Sequence, residues 1–220
     1  IFNIATTVLL FPASGGIVKL AKKIGRVEES EQDDSKVLLD DRMLETPSVA
    51  LQTAISEVAR MGEVVSEALD VTESALFKRN HADVVFLKEA EEKVDKLSAG
   101  ITSYAIKLSA LQISEREHQQ VSRMLQVVSD IERVGDYCEN IAEFSETLHE
   151  RKLTFSETAG KQLKEMLEVC ISSYKYALKA YEENDTEKAQ TVIELETKAD
   201  VLEIAMRSDH IQRLTHNECD

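Results

Sequence analysis

The sequence predicts an all-α protein, and three observations carry that prediction. Both of its 2 prolines fall in the first 47 of 220 residues, and after Ser48 glycine occurs only at 62, 100, 135 and 160, so turn residues are too sparse for a sheet protein. Apolar residues recur at three- and four-residue spacing through most of the chain. An internal repeat at an offset of 105 residues also pairs helical pattern with helical pattern.

Thr46 and Pro47 open the first helix, a capping hydroxyl followed by a proline whose missing N–H costs nothing at the first helical position. Its stripe runs through Ala50, Ala54, Val58, Met61, Val65, Leu69, Ala75 and Leu76, and stops near Asn80 and His81. The second helix spans about Ala82 to Leu111, with Val85, Phe86, Val94, Leu97, Ile101, Tyr104 and Leu108 on its apolar face. Ser114 with Glu117 forms a capping box that opens the third helix. That helix carries Val121, Met124, Val128, Ile131, Val134, Tyr137, Cys138, Ile141 and Phe144, reaching about His149. Thr154 or Ser156 begins a fourth through Met166, Leu167, Val169, Cys170, Tyr174 and Leu178, closed by a turn at Glu182 to Asp185, and a fifth runs onward from there.

The repeat pairs Ala54 with Ala159, Met61 with Met166, and Val64 with Val169; it also pairs Glu91, Asp95 and Leu97 with Glu196, Asp200 and Leu202. Helices one and two therefore recur as four and five, and the expectation is a second repeat lacking its last helix. Helices four and five then expose an apolar stripe unless another chain covers it or helices one to three pack across it.

Charge divides the chain. The 26 Lys plus Arg against 41 Asp plus Glu give −15, which argues against nucleic acid as a partner, since phosphate backbones require clustered cations. Three widely spaced cysteines form neither a disulfide framework nor a CxxC pair, which fits a reducing compartment. Residues 1–26 behave differently: Ile1 to Ile17 carry no charge, and Lys19, Lys22, Lys23 and Arg26 follow. An apolar run succeeded by cations is how a membrane helix ends on the cytoplasmic side, although about 20 residues are needed to span and this run is marginal. Residues 27–45 read as an acidic linker whose second half, Leu38 to Arg42, regains apolar character and can dock on the helices beyond it.

Acidic residues at i and i+4 share a helix face, and two such pairs on facing helices bring several oxygens to one hard cation. Glu91 and Asp95 on helix two, Glu132 and Asp136 on helix three, and Glu196 and Asp200 on helix five have that spacing. Solvated acids in an acid-rich chain are the plainer explanation. Gly135 beside Asp136 weighs against it, because a glycine inside a helix costs about 1 kcal/mol relative to alanine and implies close approach of a helix or ligand. Arg207, His210 and Arg213 line up at three-residue spacing and read as a solvated basic stripe pairing with acids. No nucleophile motif or histidine pair supports catalysis, so no enzyme is expected.

The run from Glu132 through Arg133, Gly135, Asp136 and Asn140 to Glu143 resembles the ERIGDxxxNIAE signature of PhoU domains, and Glu91 to Asp95 and Glu196 to Asp200 resemble their ExxxD metal motifs. Leu39 to Leu51 is similar to the LDxRxLxTPxxAL lead-in to the PhoU-like tail of bacterial sodium/phosphate cotransporters, and Phe2 to Leu20 resembles their last membrane segment. The resemblance implies tandem three-helix bundles, residues 46–150 and 151–220, the second incomplete. It implies a divalent metal or iron cluster held by Glu91, Asp95, Glu132, Asp136, Glu196 and Asp200, with Arg133 and Asn140 beside them. Sodium and phosphate would be handled only by the transport core absent from this sequence. Expected partners are the membrane transport domain of the same protein and a second copy of the chain; the expected location is the inner membrane, with the helices in the cytoplasm. The alternative is a free-standing PhoU-type regulator of a phosphate ABC transporter and its sensor kinase.

Overall fold

The computed structural model describes residues 37–216. The predicted membrane segment at 1–26 and the predicted acidic first half of the linker lie outside the described residues. Among those described, no helix is long and apolar enough to cross a membrane.

Among the described residues, five long helices come after one short turn. A 3-10 turn, Asp41–Glu45, is capped by Asp40, whose carboxylate accepts from the Arg42 N–H at 2.9 Å. Helix α1, Pro47–Glu73, continues as a π-helical turn, Ser74–Lys78. Helix α2 is His81–Ser109, α3 is Glu115–Glu150, α4 is Glu157–Glu183 and α5 is Thr186–Thr215. The Ser114 capping box forms as the sequence predicts, and Ser156 rather than Thr154 caps α4. Thr46 differs: its side chain makes no capping bond, and only its carbonyl accepts, from Val49 and Ala50.

Helices α1, α2 and α3 pack mutually into a bundle. Its centre is Met61, Val65, Leu87, Val94, Leu97, Ile101, Leu108, Met124 and Cys138, all essentially removed from water. Two predicted face residues of α2, Val85 and Phe86, are exposed; Val84 and Leu87 point inward instead, because they are the positions in phase with Val94 and Ile101. On α3, Tyr137 and Phe144 are likewise exposed, and Gly135, Cys138, Ala142 and Ser145 form the buried line. Phe144 instead meets Phe155, which also meets Phe77, so the three rings tie the α3–α4 loop to the end of α1. Inside the bundle the Ser145 hydroxyl donates to the Ala75 carbonyl at 2.6 Å, satisfying an acceptor freed by the π turn.

Helix α4 packs against α1, and α5 against α4. The seat of α4 is Gly62: a Cβ there would lie 2.4 Å from Leu178 Cδ1, and the Tyr174 hydroxyl donates to the Gly62 carbonyl at 2.9 Å. Only Val169 and Leu178 of α4, and no residue of α5, are fully buried, while Cys170 is exposed. The turns preserve the repeat in atomic detail. Arg79 and Asn184, 105 residues apart, are both left-handed, with φ 55° and 51°. Each is followed by a helix-capping side chain: Asn80 accepts from Ala82 N–H, and Asp185 from Glu187 and Lys188 N–H.

Candidate metal centre

The 36-residue α3 runs antiparallel beside α2, and their facing sides place acids together. Glu91 and Asp95 lie one turn apart on α2, as i, i+4 spacing requires. Asp136 on α3 reaches them: one carboxylate oxygen from each of the three residues lies within 4.8 Å of the others. Gly135 makes the approach close, since a Cβ there would come within 3.3 Å of Val94 Cγ1 on α2 and 3.8 Å of Val65 Cγ2 on α1. Helix contact, then, is the reason for the interior glycine that the sequence singled out.

The cluster is electrostatically tense. Partial burial first, then the charges of Asp95, Glu139 and Asp136, and a hydrogen bond with Asp95, push the Glu91 carboxyl up to about 7. Like charges at this range disfavour ionisation of one member unless a cation or a proton intervenes. All three donors are carboxylate oxygens, the set that suits a hard divalent ion such as magnesium, manganese or ferrous iron. Glu139, whose charge acts on Glu91 from outside the three-carboxylate group, is the acid that sequence reasoning passed over. It sits three residues after Asp136, and helical spacing alone would have found it.

The remaining predicted residues have other situations. Glu132 lies one turn before Asp136, and its carboxylate accepts from the Ser98 hydroxyl at 3.3 Å, so it braces α2 against α3 at the border of the cluster. Arg133 and Asn140 are exposed on α3. Glu92, beside Glu91 in the chain, is exposed and faces Lys96 at 3.9 Å. Glu196 and Asp200 are exposed on α5 and belong to no carboxylate group among the described residues. Two members of the basic stripe are engaged locally: Arg207 pairs with Glu203, and Arg213 donates to Gln162 at 3.3 Å. Cys138 is packed and its thiol is pushed up to about 12 by burial, so it is a core residue and not a nucleophile.

Known proteins resemble this chain over much of its length. The protein named as the inorganic phosphate export protein YjbB of Salmonella typhimurium is 20% identical over 215 residues, covering 97% of this chain but 39% of its own length. The phosphate-specific transport system accessory protein PhoU homolog 1 of Thermotoga maritima is 27% identical over 160 residues, 72% of this chain and 68% of that protein. A PhoU homolog of Aquifex aeolicus is 32% identical over 94 residues, 42% of each chain. This chain spans about two fifths of the length of YjbB, and its match to the Synechocystis PhoU homolog covers 43% of that protein. No solved structure matches. The PhoU domain model matches residues 58–145 and 163–220, which take in the carboxylate cluster and both arms of the repeat. The chain belongs to the PhoU domain family.

Proposed function

We propose that this chain is the cytoplasmic regulatory module of an inner-membrane protein that moves inorganic phosphate, coupled to sodium as the cotransporter resemblance implies, and that the module adjusts flux without chemistry of its own. The observation that carries the reading is the extent of the likeness to YjbB. It covers 215 residues and so reaches into the uncharged N-terminal stretch, whereas the PhoU homologs of Thermotoga and Aquifex are matched over 72% and 42% of the chain. A regulator whose partner is the membrane domain on the same polypeptide accounts for an apolar segment, a basic stop and an acidic linker in that order.

The carboxylates of Glu91, Asp95 and Asp136 are the proposed cation ligands, with Glu139 and Glu132 flanking them. A bound divalent ion would supply the positive charge that lets Glu91 ionise and would pin α2 to α3. A second copy of the chain is the proposed cover for the apolar side of α4 and α5, where Ile193, Val201 and Ile204 are exposed.

The test is made on the native protein. Antibody against residues 46–220 should detect a membrane-bound polypeptide much heavier than the 24.7 kDa of this chain. Deleting residues 46–220 should change radiolabelled phosphate flux, and that flux should depend on sodium. A soluble polypeptide of about this size, with flux through a separate ABC transporter altered by its loss, would establish the free-standing regulator instead.

A further inference from the structure

Residues 37–46 lie across α1 and α2 as a strap, and their attachments differ in kind from those of the bundle. The Leu38 N–H donates to Glu57 Oε2 on α1 at 3.1 Å. Glu57 is 5% exposed, and the Arg60 guanidinium donates to the same oxygen at 2.8 Å. From α2, the Tyr104 hydroxyl donates to the Asp40 carbonyl at 3.3 Å, and Lys107 Nζ donates to the Asp41 carboxylate at 2.7 Å. Between these anchors Val37 occupies the space over Gly100: a Cβ at 100 would lie 2.2 Å from Val37 Cγ2. Val37, Leu39, Met43 and Leu44 pack on the core but stay only partly covered.

Such a contact is removable. Lifting the strap opens Glu57, Tyr104 and Lys107 to water, which replaces each lost partner, so no buried polar group is stranded. The bond from Ser145 to Ala75 inside the bundle has no such replacement. The helix that holds the strap also carries Glu91 and Asp95, with Gly100 five residues beyond Asp95. A shift or rotation of α2 against α3 therefore moves the socket and the carboxylates together.

We infer that residues 37–46 are a detachable strap linking the position of α2 to the chain that precedes it, with Gly100 as the socket that decides whether the strap is seated. This inference rests on the regulatory role proposed above. It requires that filling the socket release the strap without disturbing the bundle.

Gly100→Ala in the full-length protein is the direct test, because alanine is the better helix former and only Val37 opposes it. Hydrogen exchange at the Leu38 amide and across residues 38–46 should rise about ten-fold or more, with the amides of α1 to α3 unchanged. Adding Val37→Ala removes the clashing Cγ2, leaving Val37 Cβ, at 3.1 Å, as the nearest atom, and should return exchange toward the original rate. Phosphate flux should lose its response to phosphate supply in Gly100→Ala and regain it in the double variant. Unchanged exchange in the strap, equal behaviour of single and double variants, or simultaneous loosening of α1 to α3 would each overturn the inference. If deleting residues 46–220 alters flux while Gly100→Ala does not, the strap fails and the regulatory reading stands; if neither alters flux, both fail.

Discussion

The α1–α2 pair and the α4–α5 pair are two copies of one pattern, and they have met different fates. Val94, Leu97 and Ile101 on α2 are almost wholly buried, while Ala199, Leu202 and Met206, each 105 residues further on, are half-buried on α5. The left-handed turn residues, the capping side chains and the helix phase coincide, so local sequence is not the cause. The difference is α3, which closes the first pair from the side that stays open on the second. A helix hairpin of this kind buries one stripe on its own and needs a third element to become a core. The same third helix makes the carboxylate site. Glu91 and Asp95 become a cluster only because Asp136 arrives from α3, and Glu196 and Asp200, with equal spacing, meet no acid from a third helix among the described residues.

The sharpest way to break this comparison is to cut the same residue from both copies. Leu97→Ala should cost about 2–5 kcal/mol in denaturant unfolding, as expected for a fully buried leucine. Leu202→Ala should cost less, about 1–2 kcal/mol, since that side chain is only partly buried. Equal losses would mean that α5 is covered as thoroughly as α2. Next in size is Gly62→Val, which places a side chain where Leu178 Cδ1 sits and should cost about 1–3 kcal/mol by overpacking. Its signature should be regional: faster hydrogen exchange in α4 and α5 than in α2 and α3.

A pH dependence sharpens the electrostatic half of the comparison. Glu91 is held at about 7 against its ordinary 4.5, so the folded form keeps its proton more tightly than the unfolded chain does. Its contribution to stability is therefore fully present below about 4.5 and lost as pH rises through 7. Glu91→Gln should flatten that decline in metal-free protein, and Glu196→Gln should leave it unchanged, as read by thermal melts across the range. Smallest of all is the exposed ion pair of Lys175 with Asp70, which joins α4 to α1. Lys175→Ala should shift stability by under about 0.5 kcal/mol, and by less in high salt.

Much of the fold was legible from residue spacing. The helix number, the Ser114 capping box and the repeat come from periodicity and capping residue types. Spacing left Glu91, Asp95 and Asp136 as candidates among many acids, the PhoU resemblance joined them, and Gly135 signalled a close approach without saying of what. Spacing did not fix helix phase everywhere. Val85 and Phe86, or Tyr137 and Phe144, satisfy an apolar pattern as well as their neighbours do, and only packing against the other helices chooses between them. Thr46 illustrates a second limit, because a capping residue type does not guarantee a capping rotamer. Glu57, buried at the foot of the strap, was invisible for a third reason. Arg60, three residues on, is one partner, but the one that ties Glu57 to the strap is the backbone N–H of Leu38, and a backbone group leaves no trace in the sequence.

The central claim is that α3 turns one of two equivalent acid pairs into a cation site. Elemental analysis of purified protein carrying residues 37–220 tests it most directly, beside Asp95→Ala with Asp136→Ala and, separately, Glu196→Ala with Asp200→Ala. The account predicts a divalent metal bound in a simple ratio to the chain, lost in the first double variant and retained in the second. Metal retained without Asp95 and Asp136, or lost with Glu196 and Asp200, would contradict it.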